Sequence, residues 1–184
     1  MYKHGNYALY SMQDVHAGSA STSDYVPVYV GALPVQTILG GGNKVNVPIL
    51  LSDFTQAART VGYTDDWEKY DLCEAIYAHF ALAQAGPIVV INVFDPQKSK
   101  QKKTVSETAA NNQIILGGMG GVILDSFAIE GKEKDVDYTL AYDYVTERIT
   151  VRGAHRGALA GTLSISYEET TPGITKEDVI GTTD

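Results

Sequence analysis

The stretch "VGYTDDWEKYDLCEAIYAHFALAQAGPIVVINVFDP", residues 61–96, combines a turn, a helical pattern, a Gly–Pro stop and an apolar strand in one run. Asp65 or Asp66 is expected to cap the helix, and Gly86 with Pro87 to end it. The strand "IVVINVF" is apolar at nearly every position, which is typical of a central strand covered on both faces. The apolar positions that predict the amphipathic helix are Leu72, Cys73, Ile76, Tyr77, Phe80 and Ala83.

A shorter helix and two strands are predicted before this stretch. The runs "VPVYVGALPV" and "VNVPILL" have strand character, and the glycine-rich turn "TILGGGNK" separates them. Ser52 stands where a helix N-cap is expected, and Gly62 supplies the stop. Strand, helix, helix and strand together predict a small α/β core with long crossovers over residues 25–98. The helical stripe between cap and stop is Phe54, Ala57, Ala58 and Val61.

Residues 99–171 are predicted to form a β-rich domain. Short strand patterns recur in "NQIIL", "GVILDSFAIEG", "DYTLAYDY", "RITVRG" and "GTLSISYEE", and "DYTLAYDYVTERITV" has the pattern of a hairpin. Residues 97–112 are polar, and the basic run within them is interpreted as a solvated linker. Residues 172–184 hold at most one helical turn. The basic run consists of Lys98, Lys100, Lys102 and Lys103.

Residues 1–24 are polar, show no helical period and are predicted to form an extended arm and connector. Their large side chains leave two interpretations open. An arm that becomes ordered on a partner uses residues of this kind, and so does an edge strand packed on its own domain. The arm residues expected at a subunit interface are Tyr2, Tyr7, Leu9, Tyr10 and Met12.

The composition favours a soluble globular protein of 184 residues that can bury a core without disulfides or metals. A net charge of −8 repels a phosphate backbone, so no nucleic-acid partner is expected. No apolar run reaches membrane-spanning length, and the N-terminus lacks the apolar core of a secretory signal. The single cysteine, Cys73, fits a reducing compartment, and synthesis in the cytoplasm is expected.

Sequence motifs for catalysis, phosphate binding or metal binding are mostly absent. The "GGG" run at residues 40–42 and the "GGMGG" run at residues 117–121 are interpreted as turns, because neither leads into a helix N-terminus as a phosphate loop does. Cys73 lies on the predicted core stripe, and the acidic cluster at Asp65, Asp66, Glu68 and Asp71 is interpreted as capping and solvation. We therefore expect neither an enzyme nor a cofactor or metal site. The histidines, which show no metal-binding spacing, are His4, His16, His79 and His155.

The 61–96 run closely resembles the corresponding run of contractile-tail sheath proteins of bacteriophages and phage-like particles of Gram-positive bacteria. In that family a "GY-x-D-D-W-x-x-Y-x-L-x-x-A-I" motif precedes a helix and a "P-x-x-x-V-N-V-x-D-P" segment. The hairpin region and the opening "YKHGNYALYSM" are similar to the family more loosely. The matching residues include Gly62, Tyr63, Asp65, Asp66, Trp67, Tyr70, Leu72, Ala75, Ile76, Pro87, Asn92, Val93, Asp95 and Pro96.

The resemblance implies a structural subunit that stacks helically around an inner tail tube. Terminal arms would add strands to sheets of neighbouring subunits, so that the lattice shortens by subunit rearrangement without coming apart. It implies a location in the tail of a virion or phage-like particle and a peripheral position for the β-rich domain. Sheath proteins are longer, and "DVIGTTD" falls where they enter a further α/β domain that contacts the tube. A fragment is favoured over a short homologue with another role.

Two other functions stay open at this stage. A baseplate or ligand-binding module would use the β-rich domain to hold a ligand. An enzyme of hydrolase or nucleotide type would need a reactive pocket residue that the sequence does not show, and turnover abolished by mutation of Cys73 or Asp66 would favour it.

Overall fold

The computed structural model describes residues 25–154 and 158–180. Within them the chain has a mixed α+β fold with three small three-stranded sheets. No helix in these two ranges is long and apolar enough to cross a membrane. In chain order the elements are β1 (Val28–Gly31), β2 (Pro48–Leu51), α1 (Phe54–Val61), α2 (Asp71–Ile76), β3 (Ile88–Asn92), β4 (Lys100–Thr108), β5 (Gln113–Leu116), β6 (Val122–Ile129), β7 (Tyr138–Asp143), β8 (Arg148–Gly153), β9 (Thr162–Thr170) and α3 (Lys176–Ile180).

The first unit, called here the α/β unit, contains β1 to β3 with α1 and α2. Its sheet has the order β1-β3-β2, with β1 parallel and β2 antiparallel to the central β3. Parallel strands need a crossover, and the chain makes it through β2, α1 and α2. Helix and strand side chains share one apolar cluster, which includes Leu51, Val61, Cys73, Ile76 and Val90.

The helix α1 confirms the predicted apolar stripe and its stop, but Ser52 is not the N-cap. Asp53 occupies that position, and its carboxylate accepts a hydrogen bond from the Gln56 backbone N–H at 2.8 Å. Gly62 ends the helix with φ of 81°. A Cβ atom at Gly62 would lie 2.6 Å from the Pro34 carbonyl oxygen, so only glycine fits this stop.

The predicted long helix is shorter than expected at both ends, and neither Asp65 nor Asp66 caps it. Residues 65–69 form a turn in which the Tyr70 N–H donates to the Asp66 carbonyl at 3.0 Å, so α2 begins only at Asp71. A π-helical segment, Tyr77–Leu82, extends it and ends before the cis Gly86–Pro87 peptide bond. The Thr64 hydroxyl accepts a hydrogen bond from the Asp66 N–H at 3.2 Å, and this bond holds Asp66 in the turn and not at the helix cap.

Strand β3 is central as predicted, but only one of its faces is covered. Ile88, Val90 and Asn92 point into the apolar cluster, whereas Val89 and Ile91 on the opposite face are only half-buried. The reason is that both helices pack on the same side of the sheet. The expectation of two covered faces is therefore wrong for the described residues.

The second unit, called here the β-rich unit, contains β4 to β9 in two sheets of order β4-β9-β6 and β5-β8-β7. The predicted hairpin is β7–β8, with Tyr138 opposite Gly153 and Asp143 opposite Arg148. Both sheets contribute to one apolar cluster. Its members from the strands include Ile114, Leu116, Val122, Phe127, Ile129, Tyr138, Ile149, Val151 and Ile165.

The basic run is a strand for most of its length and not a linker. Strand β4 pairs with β9 over nine residues, and Lys100 and Lys103 form ion pairs with Glu168 and Glu169 of that strand. It is an edge strand exposed along most of its length, so it has no alternation of apolar residues for a sequence pattern to reveal.

The side chain of Asn92, at the end of β3, holds the loop that follows β1. Its Oδ1 accepts the Leu33 N–H at 3.0 Å and the Phe94 N–H at 3.2 Å, and its Nδ2 donates to the Phe94 carbonyl at 2.9 Å. Asp71 completes the arrangement by accepting the Ala32 N–H at 2.7 Å. Because Asn92 is fully buried, these backbone groups have no water to replace it.

We expect Asn92→Ala to lower the free energy of unfolding by about 2–4 kcal/mol, because it leaves buried backbone groups without partners. Urea unfolding followed by far-UV circular dichroism measures this change. The control is Asn43→Ala, an exposed position where a change within about 0.5 kcal/mol is expected. Equal effects at both positions would contradict the role given to Asn92.

Candidate functional site at the junction of the two units

The arm residues predicted for a subunit interface, Tyr2, Tyr7, Leu9, Tyr10 and Met12, lie outside the described residues. The motif residues are all described, and several of them lie where the α/β unit meets the β-rich unit. This junction is the candidate functional site.

Gln36 provides the buried polar link across the junction. It lies in a 3₁₀ turn, Val35–Thr37, in the loop that Asn92 holds, and its side chain is 2% exposed. Its Nε2 donates to the Tyr70 hydroxyl at 2.5 Å within the α/β unit and to the Gly120 carbonyl at 3.0 Å in the β-rich unit. One amide therefore fixes the position of a motif tyrosine relative to the second unit.

Aromatic packing forms a second part of the junction. Tyr63 is buried between Phe54 of α1 and Tyr144 of the β7–β8 turn, in edge-to-face contacts with ring centroids 4.7 Å and 5.7 Å away. Trp67 packs beside Tyr77 at 5.4 Å. Such pairs contribute about 0.5–1.5 kcal/mol each beyond the burial of their area. Tyr63 thus packs across the boundary between the units, whereas Trp67 packs within the α/β unit.

The turn between β7 and β8 reaches the α/β unit through Glu147. Its backbone carbonyl accepts the Met119 N–H at 2.9 Å, and its carboxylate lies 3.5 Å from the Thr64 hydroxyl. Glu147 has a positive φ of 49°, which turns the chain sharply at this point. At a separate place, the Asp125 carboxylate accepts the Gly40 N–H at 2.9 Å. These contacts add polar links to the one made by Gln36.

A cleft of about 230 Å³ opens along the junction. Its walls are polar, with hydroxyl and carboxylate groups from both units. Asp66 is paired with Lys69, and Glu169 with Lys103. The residues that line the cleft are Pro34, Thr64, Asp66, Lys69, Tyr70, Gly118, Gly120, Gly121, Tyr142, Glu147, Glu169, Thr170, Thr171 and Pro172.

The tyrosines at the junction are held in their neutral form. Burial raises the pKa of Tyr63, of Tyr70 and of Tyr142, and the charge of Glu147 raises that of Tyr142 further. The hydrogen bond to Asp66 raises the pKa of Lys69, which keeps that side chain cationic. The cleft can therefore hold a small polar group by hydrogen bonds, and the described residues that form its walls include no histidine, cysteine or serine.

The remaining motif residues lie away from the cleft. Asp65 is exposed in the turn before α2, whereas Asp95 and Pro96 follow β3. The Asp95 carboxylate accepts the Gln97 N–H at 2.9 Å, which forms the exit from the α/β unit. Asn92 supports the loop described above. Of the motif residues, the structure thus brings Asp66 and Tyr70 to the cleft and Tyr63 to the packing against Tyr144, and it leaves these others apart.

Cys73 and His79, two residues with reactive side chains, are both engaged within the α/β unit. Cys73 is buried in the first apolar cluster, and burial raises the pKa of its thiol to about 12. His79 is hydrogen-bonded to the Tyr29 hydroxyl at 2.6 Å. Across residues 25–154 and 158–180, no three histidine, cysteine, aspartate or glutamate side chains are grouped so that they could hold a metal ion.

Sequence patterns missed Gln36, Tyr144 and Glu147 as junction residues. Gln36 and Thr37 are the two polar residues in the run "LPVQTIL", which signals that their side chains have buried partners. Nothing in the local spacing indicates that the partner of Gln36 is Tyr70. Tyr144 and Glu147 lie in a hairpin turn, where polar and aromatic residues are common without a long-range role.

The chain matches no protein-family model, no curated protein and no solved structure in the comparisons made with it.

We expect Gly121→Ala to destabilise the junction, because the added Cβ atom would lie 2.7 Å from the Thr170 carbonyl oxygen. Overpacking of this kind costs about 1–3 kcal/mol, measured by urea unfolding. The matched control in the same "GGMGG" turn is Gly117→Ala, where nothing lies within 4 Å of the new atom. A larger loss for Gly117→Ala than for Gly121→Ala would contradict this packing.

We also expect stability to fall as the pH rises above about 10. The unfolded chain loses the protons of Tyr63 and Tyr70 near pH 10, whereas the native state keeps them because both pKa values are raised. The unfolded state is then favoured, and each of these tyrosines contributes a slope approaching about 1.4 kcal/mol per pH unit. Denaturant unfolding across this range measures the total slope, and Tyr63→Phe should lower it by about that amount. Tyrosine ionisation at the ordinary pKa without loss of stability would contradict the prediction.

Proposed function

We propose that this chain is part of the structural subunit of a contractile tail sheath, in a virion or phage-like particle. The observation that supports the proposal best is the placement of the motif. Tyr63 packs against Tyr144 of the second unit, and the Tyr70 hydroxyl accepts a hydrogen bond from Gln36, which also donates to the Gly120 carbonyl of that unit. A motif used in this way is expected of a structural subunit that moves as one rigid body.

The partners in this proposal are neighbouring copies of the same subunit. Residues 1–24 would reach a neighbour and add main-chain hydrogen bonds to one of its sheets. By resemblance to sheath proteins, contact with the inner tube is assigned to a further domain beyond residue 184. The subunit would be synthesised in the host bacterial cytoplasm and would need no nucleotide, metal or cofactor, because contraction draws on repacking of subunits.

Electron microscopy of the full-length gene product, together with particles from a strain that carries arm variants, tests this proposal. We expect tubes or rings from the full-length protein, and we expect Tyr7→Ala combined with Leu9→Ala and Tyr10→Ala to give particles without a stable sheath. The matched control is Ser19→Ala with Ser21→Ala in the polar connector, which should leave the sheath intact. A full-length protein that forms no regular assembly, with normal particles from the arm variant, would overturn the proposal.

The second candidate is a baseplate or ligand-binding module, and the cleft at the junction is the observation that favours it. Tyr142 and Glu147 present an aromatic ring and a carboxylate to a space that fits a small polar ligand. In the same particles, a Tyr142→Ala variant that keeps a normal sheath but no longer attaches to target cells would favour this second function.

A further inference from the structure

The uncovered face of the α/β sheet is an apolar surface that the proposed function does not use. Alternation along the strands places six aliphatic or proline side chains on it, and the register aligns them in two rows. Val28, Val89 and Leu50 form one row, and Val30, Ile91 and Pro48 form the other. None of the six carries a charge.

This face is open to solvent in the described part of the chain. Val28 is 58% exposed, Leu50 is 53% exposed and Val30 is 38% exposed. Three neighbouring strands with apolar side chains in register form a patch of the kind that marks a contact surface. The opposite face of the same sheet is covered by α1 and α2. Both faces carry apolar side chains, and they differ in that helices pack on only one of them.

A second free copy is a poor occupant for a face of this size. Three strands of four residues span roughly 14 Å by 13 Å, a flat area on the order of 200 Å². Stable association of two separate proteins buries about 800 Å² on each partner. A tethered segment can be held by a smaller surface, because its effective concentration is in the millimolar range.

Position along the chain and charge point to residues 1–24 as the tethered segment. They directly precede residues 25–27 and β1, whose Val28 and Val30 each begin one of the two rows. Extended at about 3.3 Å per residue, the arm reaches up to about 80 Å and can fold back over the sheet. Its residues 5–13, "GNYALYSMQ", carry no charged side chain and include Leu9 and Tyr10.

We infer that residues 1–24 of the same chain cover the apolar face of the α/β sheet in the free protein. Residues 5–13 contribute the apolar side chains, and the row that starts at Val28 receives them beside the point where the arm enters the sheet. This inference goes beyond the proposed function, because it concerns the isolated chain. It makes release of the arm a step that precedes any link to a neighbour.

Thiol cross-linking of the full chain at low concentration tests the inference. Leu9→Cys is combined with Leu50→Cys on the face, and a short bifunctional thiol reagent is added to the folded protein. Cys73 is buried and does not compete. We expect a cross-link within one chain, at a rate that does not change with protein concentration. The matched control pairs Leu9→Cys with Ile115→Cys, which is 54% exposed on β5 of the other unit, and it should cross-link far more slowly.

A dye that binds apolar surfaces provides the second measurement. Deletion of residues 1–24 should raise dye binding severalfold, and Leu50→Asp in the deleted chain should remove most of that increase, whereas Ile115→Asp should not. Cross-linked dimers whose yield rises with concentration would overturn the inference in favour of a second copy. Equal rates for both cysteine pairs, with dye binding unchanged by the deletion, would overturn it in favour of an occupant outside this chain. Both measurements use unassembled protein, so they do not depend on whether the chain forms a sheath.

Discussion

The buried amide of Asn92 is the interaction on which the rest of this structure depends. It joins the end of the central strand to the loop after β1, and that loop carries Gln36. Gln36 in turn reaches Tyr70 and the Gly120 carbonyl of the second unit. A chain of buried hydrogen bonds therefore leads from the middle of one sheet to the boundary of the other unit. A buried polar group that loses its partner costs free energy of folding. These hydrogen bonds therefore favour one arrangement of the loop.

The junction combines this polar chain with aromatic packing, and the two have different consequences. Edge-to-face contacts such as that of Tyr63 with Tyr144 contribute stability but tolerate small shifts of one unit against the other. The hydrogen bonds of Gln36 tolerate less, because their strength falls steeply with distance and angle. A subunit that must keep its shape while its neighbours move benefits from both kinds of contact. Both proposed functions, the sheath subunit and the rigid ligand-binding module, require this property.

Local patterns predicted the elements better than they predicted the relations between elements. The stripe from Phe54 to Val61 with the Gly62 stop is fully local, and α1 follows it closely. Strand β4 has no such pattern, since its pairing with β9 depends on backbone hydrogen bonds and cross-strand charges. The late start of α2 depends on the turn that Thr64 and Asp66 form, in which side-chain and backbone bonds compete with a helical cap. Contacts such as Gln36 with Tyr70 join residues far apart in sequence, and no periodicity encodes them.

The uncovered sheet face shows where a sequence pattern and a structure disagree in an informative way. Strand β3 is apolar at both parities, and a strand of that kind is normally buried on both sides. The described helices supply only one cover, because α1 and α2 pack on the side of Val90. Leaving Val89 and Ile91 against water forgoes about 25 cal/mol for each Å² of apolar area that a cover would bury. The composition of the strand is therefore evidence for a second cover, and its absence among residues 25–154 and 158–180 restricts that cover to other segments or to another molecule.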